Sequence, residues 1–136
     1  MKYYKTKNQF SNSTKTLTLN VNTLEGRSYE WYSICRNFNG VVVLNTYNYS
    51  STTCKHIIKV RSVLSGLNQS YIELEAPRGL QDLDESLKLY ENRIEALELA
   101  IAKPKTRKST NEARQFQIDQ YYIKLGIIRN LIERGV

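Results

Sequence analysis

The chain has 136 residues, 40% hydrophobic and 24% charged, with a formal net charge of +7, values of a single folded domain rather than of a disordered polymer. No run of about 18 apolar residues occurs, which excludes a membrane-spanning helix, and Met1 leads into Lys-Tyr-Tyr-Lys rather than an apolar stretch, so a cytoplasmic protein without a secretory segment is expected. The six glycines follow neither G-x-x-x-x-G-K-[ST] nor G-x-G-x-x-G, which excludes the common nucleotide-binding loops.

Residues 1 to 13 mix Lys2, Lys5 and Lys7 with Tyr3, Tyr4 and Phe10, a pattern that suits base stacking beside phosphate or an edge strand. From Lys15 to Thr23, Leu17, Leu19 and Val21 alternate with polar residues, which predicts a half-buried strand. Leu24 to Arg27 is expected to turn, with Gly26 supplying a positive φ, and Ser28 to Asn37 to form a second strand rich in Tyr29, Trp31, Tyr32 and Ile34. Asn39-Gly40 predicts a two-residue hairpin turn into a third strand, Val41 to Leu44, covered on both faces. The hydroxyls of Ser50 to Thr53 predict the start of a helix running from about Thr52 to Leu67. Its apolar face is Ile57, Val60, Val63, Leu64 and Leu67, with Lys55, Lys59 and Ser62 opposite and His56 and Arg61 toward the edges. Tyr71 to Ala76 alternates as a fourth, edge strand.

The last third carries the strongest period. Leu80, Leu83, Leu87, Tyr90, Ile94, Leu97 and Ile101, then Ile118, Tyr121, Leu125, Ile128 and Ile132, step by three and four, as in a coiled-coil seam broken at Pro104. Ser109 and Glu112 are expected to form a capping box for the return helix. Phe116, Ile123, Ile127 and Leu131 make a second stripe, so that helix is expected to be sandwiched between its partner and the sheet or a second copy of the chain. The resulting expectation is an α+β fold: a three- to four-stranded, mostly antiparallel sheet backed by one helix (residues 1–76), followed by a long antiparallel helical hairpin (77–136), docked as one compact unit.

Charge is segregated. Residues 1–79 hold ten Lys/Arg against four Asp/Glu, 80–101 two against six, and 102–136 eight against three. A polyanion or an acidic partner is the expected ligand of such a surface. The candidate contacts are Lys55, Lys59 and Arg61 on the first helix and Lys103, Lys105, Arg107, Lys108 and Arg114 at the hairpin tip. Catalytic and metal-binding signals are sparse. His56 is the single histidine, Cys35 and Cys54 read as free thiols, and there is no Cys-x-x-Cys. Glu73 and Glu75, two apart on a strand, share a face and with His56 define a small metal-dependent nuclease as a remote alternative. No cofactor is expected.

Tyr49-Ser50-Ser51-Thr52-Thr53-Cys54-Lys55-His56 resembles a Y-S-x-T-T-x-x-H strand-to-helix junction of small uncharacterised phage proteins. The order strand, strand, strand, helix over residues 15–67 is similar in topology to AP2-type and recombinase arm-binding domains, which implies a sheet laid in the DNA major groove. The expectation is a non-enzymatic, basic nucleic-acid-binding accessory protein of phage or mobile-element origin, with dimerisation through the hairpin open. The alternative is a protein–protein inhibitor, such as an anti-CRISPR or other anti-defence factor, acting on a host nucleoprotein complex.

Overall fold

The computed structural model describes residues 3–6, 9–12, 16–103 and 107–134. It is α+β. Strands β1 (Tyr3–Thr6), β2 (Gln9–Asn12), β3 (Leu17–Asn20), β4 (Glu25–Ser28), β5 (Tyr32–Phe38) and β6 (Val41–Asn45) precede helix α1 (Ser51–Gly66). Strand β7 (Ile72–Leu74) and helices α2 (Leu83–Ala102) and α3 (Lys108–Glu133) follow. The strands form one sheet in chain order, β1 to β7. Every neighbouring pair is antiparallel except β6–β7, which α1 connects in parallel. The mostly antiparallel sheet, the helix behind it and the closing hairpin are as expected. The sheet is larger, because β4 was not anticipated and the N-terminal segment, for which one edge strand was a reading, supplies the two strands β1 and β2.

Asn39-Gly40 turns as its sequence dictates, with φ of 51° and 101° and Phe38 paired with Val41. The predicted turn at Leu24 to Arg27 is instead strand β4. Chain reversal comes earlier: the Asn20 carboxamide oxygen accepts from the N–H groups of Asn22 (2.9 Å) and Thr23 (3.2 Å), and Leu24 closes the turn at φ 60°. Gly26 serves close approach rather than a turn, since a Cβ there would lie 3.1 Å from Leu19 Cδ1 and 3.3 Å from Cys35 Cβ. The predicted second strand is likewise broken. Ser28 ends β4, Tyr29 and Glu30 turn, and β5 begins at Tyr32.

Each face of the sheet has its own core. On one, Leu17, Leu19, Tyr32, Ile34, Val42 and Leu44 pack with Ile57, Val60 and Leu64 of α1. On the other, Phe38, Val43 and Leu74 pack with Leu83, Tyr90 and Ile94 of α2 and Ile118, Leu125, Ile128 and Leu131 of α3. Adjacent residues of β6 thus serve opposite layers, which makes it the strand covered on both faces that its apolar run predicted. The hairpin is docked, and polar contacts hold it there. The Glu75 N–H donates to the Tyr90 hydroxyl (2.9 Å), and the Glu75 carboxylate takes both guanidinium nitrogens of Arg93, one at 3.2 Å. Arg93 lies 5.8 Å from the Tyr121 ring centre.

Three details of the hairpin differ from expectation. Leu80 is buried ahead of α2, its N–H donating to Ser33 O (3.0 Å), rather than in the helical seam. The Ser109–Glu112 capping box does not form, because α3 begins two residues too early, at Lys108 with Arg107 as N-cap. The second stripe divides: Leu131 is buried and Ile127 packs on the core, whereas Phe116 and Ile123 are exposed. Cys35 and Cys54 are free, and burial pushes the Cys35 thiol up to about 12.

Candidate nucleic-acid interface

The strand-to-helix junction Tyr49–His56 organises the surface around α1. Ser50 is the N-cap, its hydroxyl accepting from the Thr53 N–H at 3.1 Å. Thr53 Oγ1 and Ser28 Oγ are 3.1 Å apart, and Ser28 Oγ and His56 Nδ1 are hydrogen-bonded at 2.8 Å. His56 Nε2 lies 3.5 Å from Thr16 Oγ1. Ser28, Thr53 and His56 are all solvent-inaccessible. His56 was placed toward the helix edge by sequence; it is instead the polar centre of the α1–sheet contact, tying α1 to β4. No substrate reaches the Ser28–His56 pair. The spacing of Tyr49, Ser50, Thr53 and His56 is therefore the spacing of an aromatic stack, a cap and two buried hydrogen-bonding groups.

Burial lowers the His56 pKa. The unfolded chain takes up a proton below about pH 6.5 that the native imidazole refuses, so stability is full above that value and declines below it, by up to about 1.4 kcal/mol per pH unit. Urea midpoints at pH 7.5 and 5.5 check this. A lower midpoint at 5.5 is expected, and equal midpoints would mean that the native imidazole protonates normally.

The predicted cations fall into two groups on different layers of the fold. On α1, Lys55 is exposed and Lys59 half-buried, and with Ile58 and Ser62 they line a shallow groove of about 360 Å³. No acidic residue occurs anywhere in α1. Arg61 is engaged within the molecule by Glu73, 3.1 Å away. In the hairpin layer, Lys103, Arg107 and Lys108 are exposed. Lys105 lies outside the described residues. Arg114 reaches back to the C-terminal turn of α2, donating to Ala100 O (3.3 Å), and also donates to Asn111 Oδ1 of its own helix (3.5 Å).

The acids do not converge. Glu73 faces Arg61 of α1 while Glu75 faces Arg93 of α2, so the pair expected on one face is split between two helices. Among the described residues no group of three or more His, Cys, Asp or Glu is placed to hold a metal ion. Nor is the face of β5–β7 opposite α1 free to enter a DNA groove, as the arm-binding resemblance implied, because the hairpin covers it.

Sequence reasoning missed the aromatic surface beside α1. Trp31 and Tyr49 are about half exposed, and with Tyr29 and Ser50 they line an open notch of about 700 Å³. Tyr49 stacks on the buried Tyr32 ring, with centroids 4.5 Å apart and planes 17° from parallel. Trp31 stands nearly perpendicular to Tyr49 at 5.8 Å. The rings were visible as residue types in Tyr29-Glu30-Trp31-Tyr32, but the turn that sets Trp31 outside β5 was not, because Tyr29 and Glu30 are not residues that announce a positive φ.

No protein-family model matches the chain, and neither a curated protein nor a solved structure matches it. No helix among the described residues is long and apolar enough to cross a membrane.

Proposed function

We propose that the protein is a non-enzymatic nucleic-acid-binding accessory protein, of the kind phages and mobile elements encode, that holds phosphate with Lys55 and Lys59 of α1 and with Lys103, Arg107 and Lys108 of the hairpin tip. The observation that carries this reading is α1 itself. It is a 16-residue helix without one acidic side chain, and its lysines line an open groove on the surface of a +7 chain. Cations so grouped attract phosphate through counterion release. Arg61 supports the same surface through Glu73, and Arg114 steadies the tip through α2.

Fluorescence anisotropy with labelled single-stranded DNA, single-stranded RNA and duplex DNA at 50 mM salt tests the reading. Binding to at least one is expected, and binding to none ends it.

A second reading, an inhibitor that docks on a host nucleoprotein complex, draws on the hairpin. Leu99, Phe116, Tyr122 and Ile123 are exposed there, and Leu99 and Tyr122 share a groove with Glu91, Glu95, Glu98 and Arg129. A partner retained from nuclease-treated lysate after α1 cations are reversed would favour it.

A further inference from the structure

We infer that the notch formed by Tyr29, Trp31 and Tyr49 is a stacking subsite for an unpaired base, so that the ligand is a single-stranded rather than a duplex nucleic acid. This deepens the nucleic-acid reading above and rests on it.

Backbone conformation is the first argument. Positive φ is taken by Asn39, Gly40, Asn68 and Gly79, residue types that adopt it readily, and by Leu24, Tyr29 and Glu30, which do not. Leu24 is buried in the α1-side core, so packing offsets its strain. Tyr29 and Glu30 are consecutive, at φ 58° and 67°, and both are exposed. The Tyr29 ring lies 6.2 Å from that of His56 with 37% of the residue left exposed, so packing offsets only part of the strain at Tyr29 and little of that at Glu30. Backbone strain held in place by its surroundings clusters at ligand clamps and binding sites, and here it sets three aromatic residues around one notch.

Rigidity is the second. The Tyr29 N–H donates to Thr16 O at 2.7 Å, and Arg27 Nη1 donates to Glu30 O at 3.4 Å. Gln81 Nε2 donates to Trp31 O at 2.9 Å, while the Gln81 carboxamide oxygen accepts from the Ser33 N–H at 3.1 Å. Beneath Tyr49, the Tyr32 hydroxyl is anchored on Ala76 O at 2.7 Å. The rings are thus held before any ligand arrives, which reduces the ordering cost of binding. A flat heterocycle laid against one exposed ring meets the other edge-on, the arrangement aromatic groups favour.

Charge decides the occupant. A proline-rich peptide also fits aromatic grooves, but Arg27 is hydrogen-bonded onto this turn, Lys55 lies five residues into the helix that Ser50 caps, and Glu30 is the one acid on the turn itself. Ser50 both lines the notch and caps α1, so a base in the notch would leave its sugar-phosphate chain beside the start of the helix that bears Lys55 and Lys59. Stacking of this kind accepts any base.

Trp31 is the only tryptophan in the chain, so its fluorescence reads the notch directly. The full-length protein is titrated with a 15-nucleotide oligothymidylate, with an abasic oligomer of the same length, with a duplex and with a proline-rich peptide. Affinity is followed separately by anisotropy. The oligothymidylate is expected to quench Trp31, the abasic oligomer to bind through phosphate without quenching, and the duplex to bind more weakly. Trp31→Ala and Tyr49→Ala are each expected to weaken oligothymidylate binding roughly 10-fold while leaving abasic binding and the circular dichroism spectrum unchanged. Equal quenching by the abasic oligomer or duplex, unaltered affinity in both folded variants, or quenching by the peptide alone overturns the stacking subsite. Loss of discrimination with binding intact removes only this inference, whereas no binding to any oligomer removes it together with the nucleic-acid reading.

Discussion

Replacing Asn45 with leucine is expected to destabilise the protein by about 3–5 kcal/mol, because several buried backbone groups lose their partner at once and each costs about 1–3 kcal/mol unpaired. Asn45 is the last residue of β6 and wholly inaccessible to solvent. Its carboxamide oxygen accepts from the N–H groups of Ala76 (3.0 Å) and Tyr47 (3.0 Å), and its nitrogen donates to Ala76 O (3.0 Å) and Ser33 O (3.3 Å). One side chain thereby joins β5, the exit of β6 and the segment that leads into the hairpin. Ala76 O also receives the Tyr32 hydroxyl beneath the aromatic notch. Thermal unfolding followed by circular dichroism should show a midpoint lower by roughly 10–20 °C. A shift under about 3 °C would mean that the freed backbone groups find other partners.

Asn45 also illustrates what the sequence withheld. It reads as the polar fading of an apolar strand, and only the return of residue 76 to its side makes it a junction. Elements whose determinants are local were legible. Asn39-Gly40 specifies its turn through backbone preference alone, α1 carries its own cap at Ser50, and the three- and four-residue steps of α2 and α3 require only each other. Strand β4 was not legible, since Glu-Gly-Arg-Ser holds no apolar residue and is a strand because β3 and β5 flank it. The Tyr29-Glu30 turn was hidden for the opposite reason: its residues disfavour the conformation they adopt, and the chain around them imposes it. The same misreading concealed the candidate site, for a continuous strand over Ser28 to Asn37 would have spread its rings along the sheet. Lys55 and Lys59 could be placed on one helix face from spacing, but that Arg61 answers Glu73 and Arg114 answers Ala100 depends on distant partners.

Reversing both lysines, as Lys55→Glu with Lys59→Glu, is expected to weaken nucleic-acid binding by about 100-fold or more at 100 mM salt, since two phosphate contacts are lost and two repulsions gained. The positions are four residues apart, about 6 Å along the helix axis, so one backbone is able to meet both. Neither contributes an apolar anchor to the core, and the melting temperature should move by no more than about 3 °C. Equal loss of binding and of stability would make the lysines structural. Unchanged binding with Lys103, Arg107 and Lys108 intact would transfer the interface to the hairpin tip.

The most direct measurement is the salt dependence of binding to a 20-nucleotide single strand, for the native protein and the double variant side by side. A slope of log K against log salt of about −2 to −4 is predicted for the native chain, shallower by about 1–1.5 in the variant, as expected if each lysine releases its share of counterions. Absence of binding at 50 mM salt, or affinity that does not change with salt, would contradict the account.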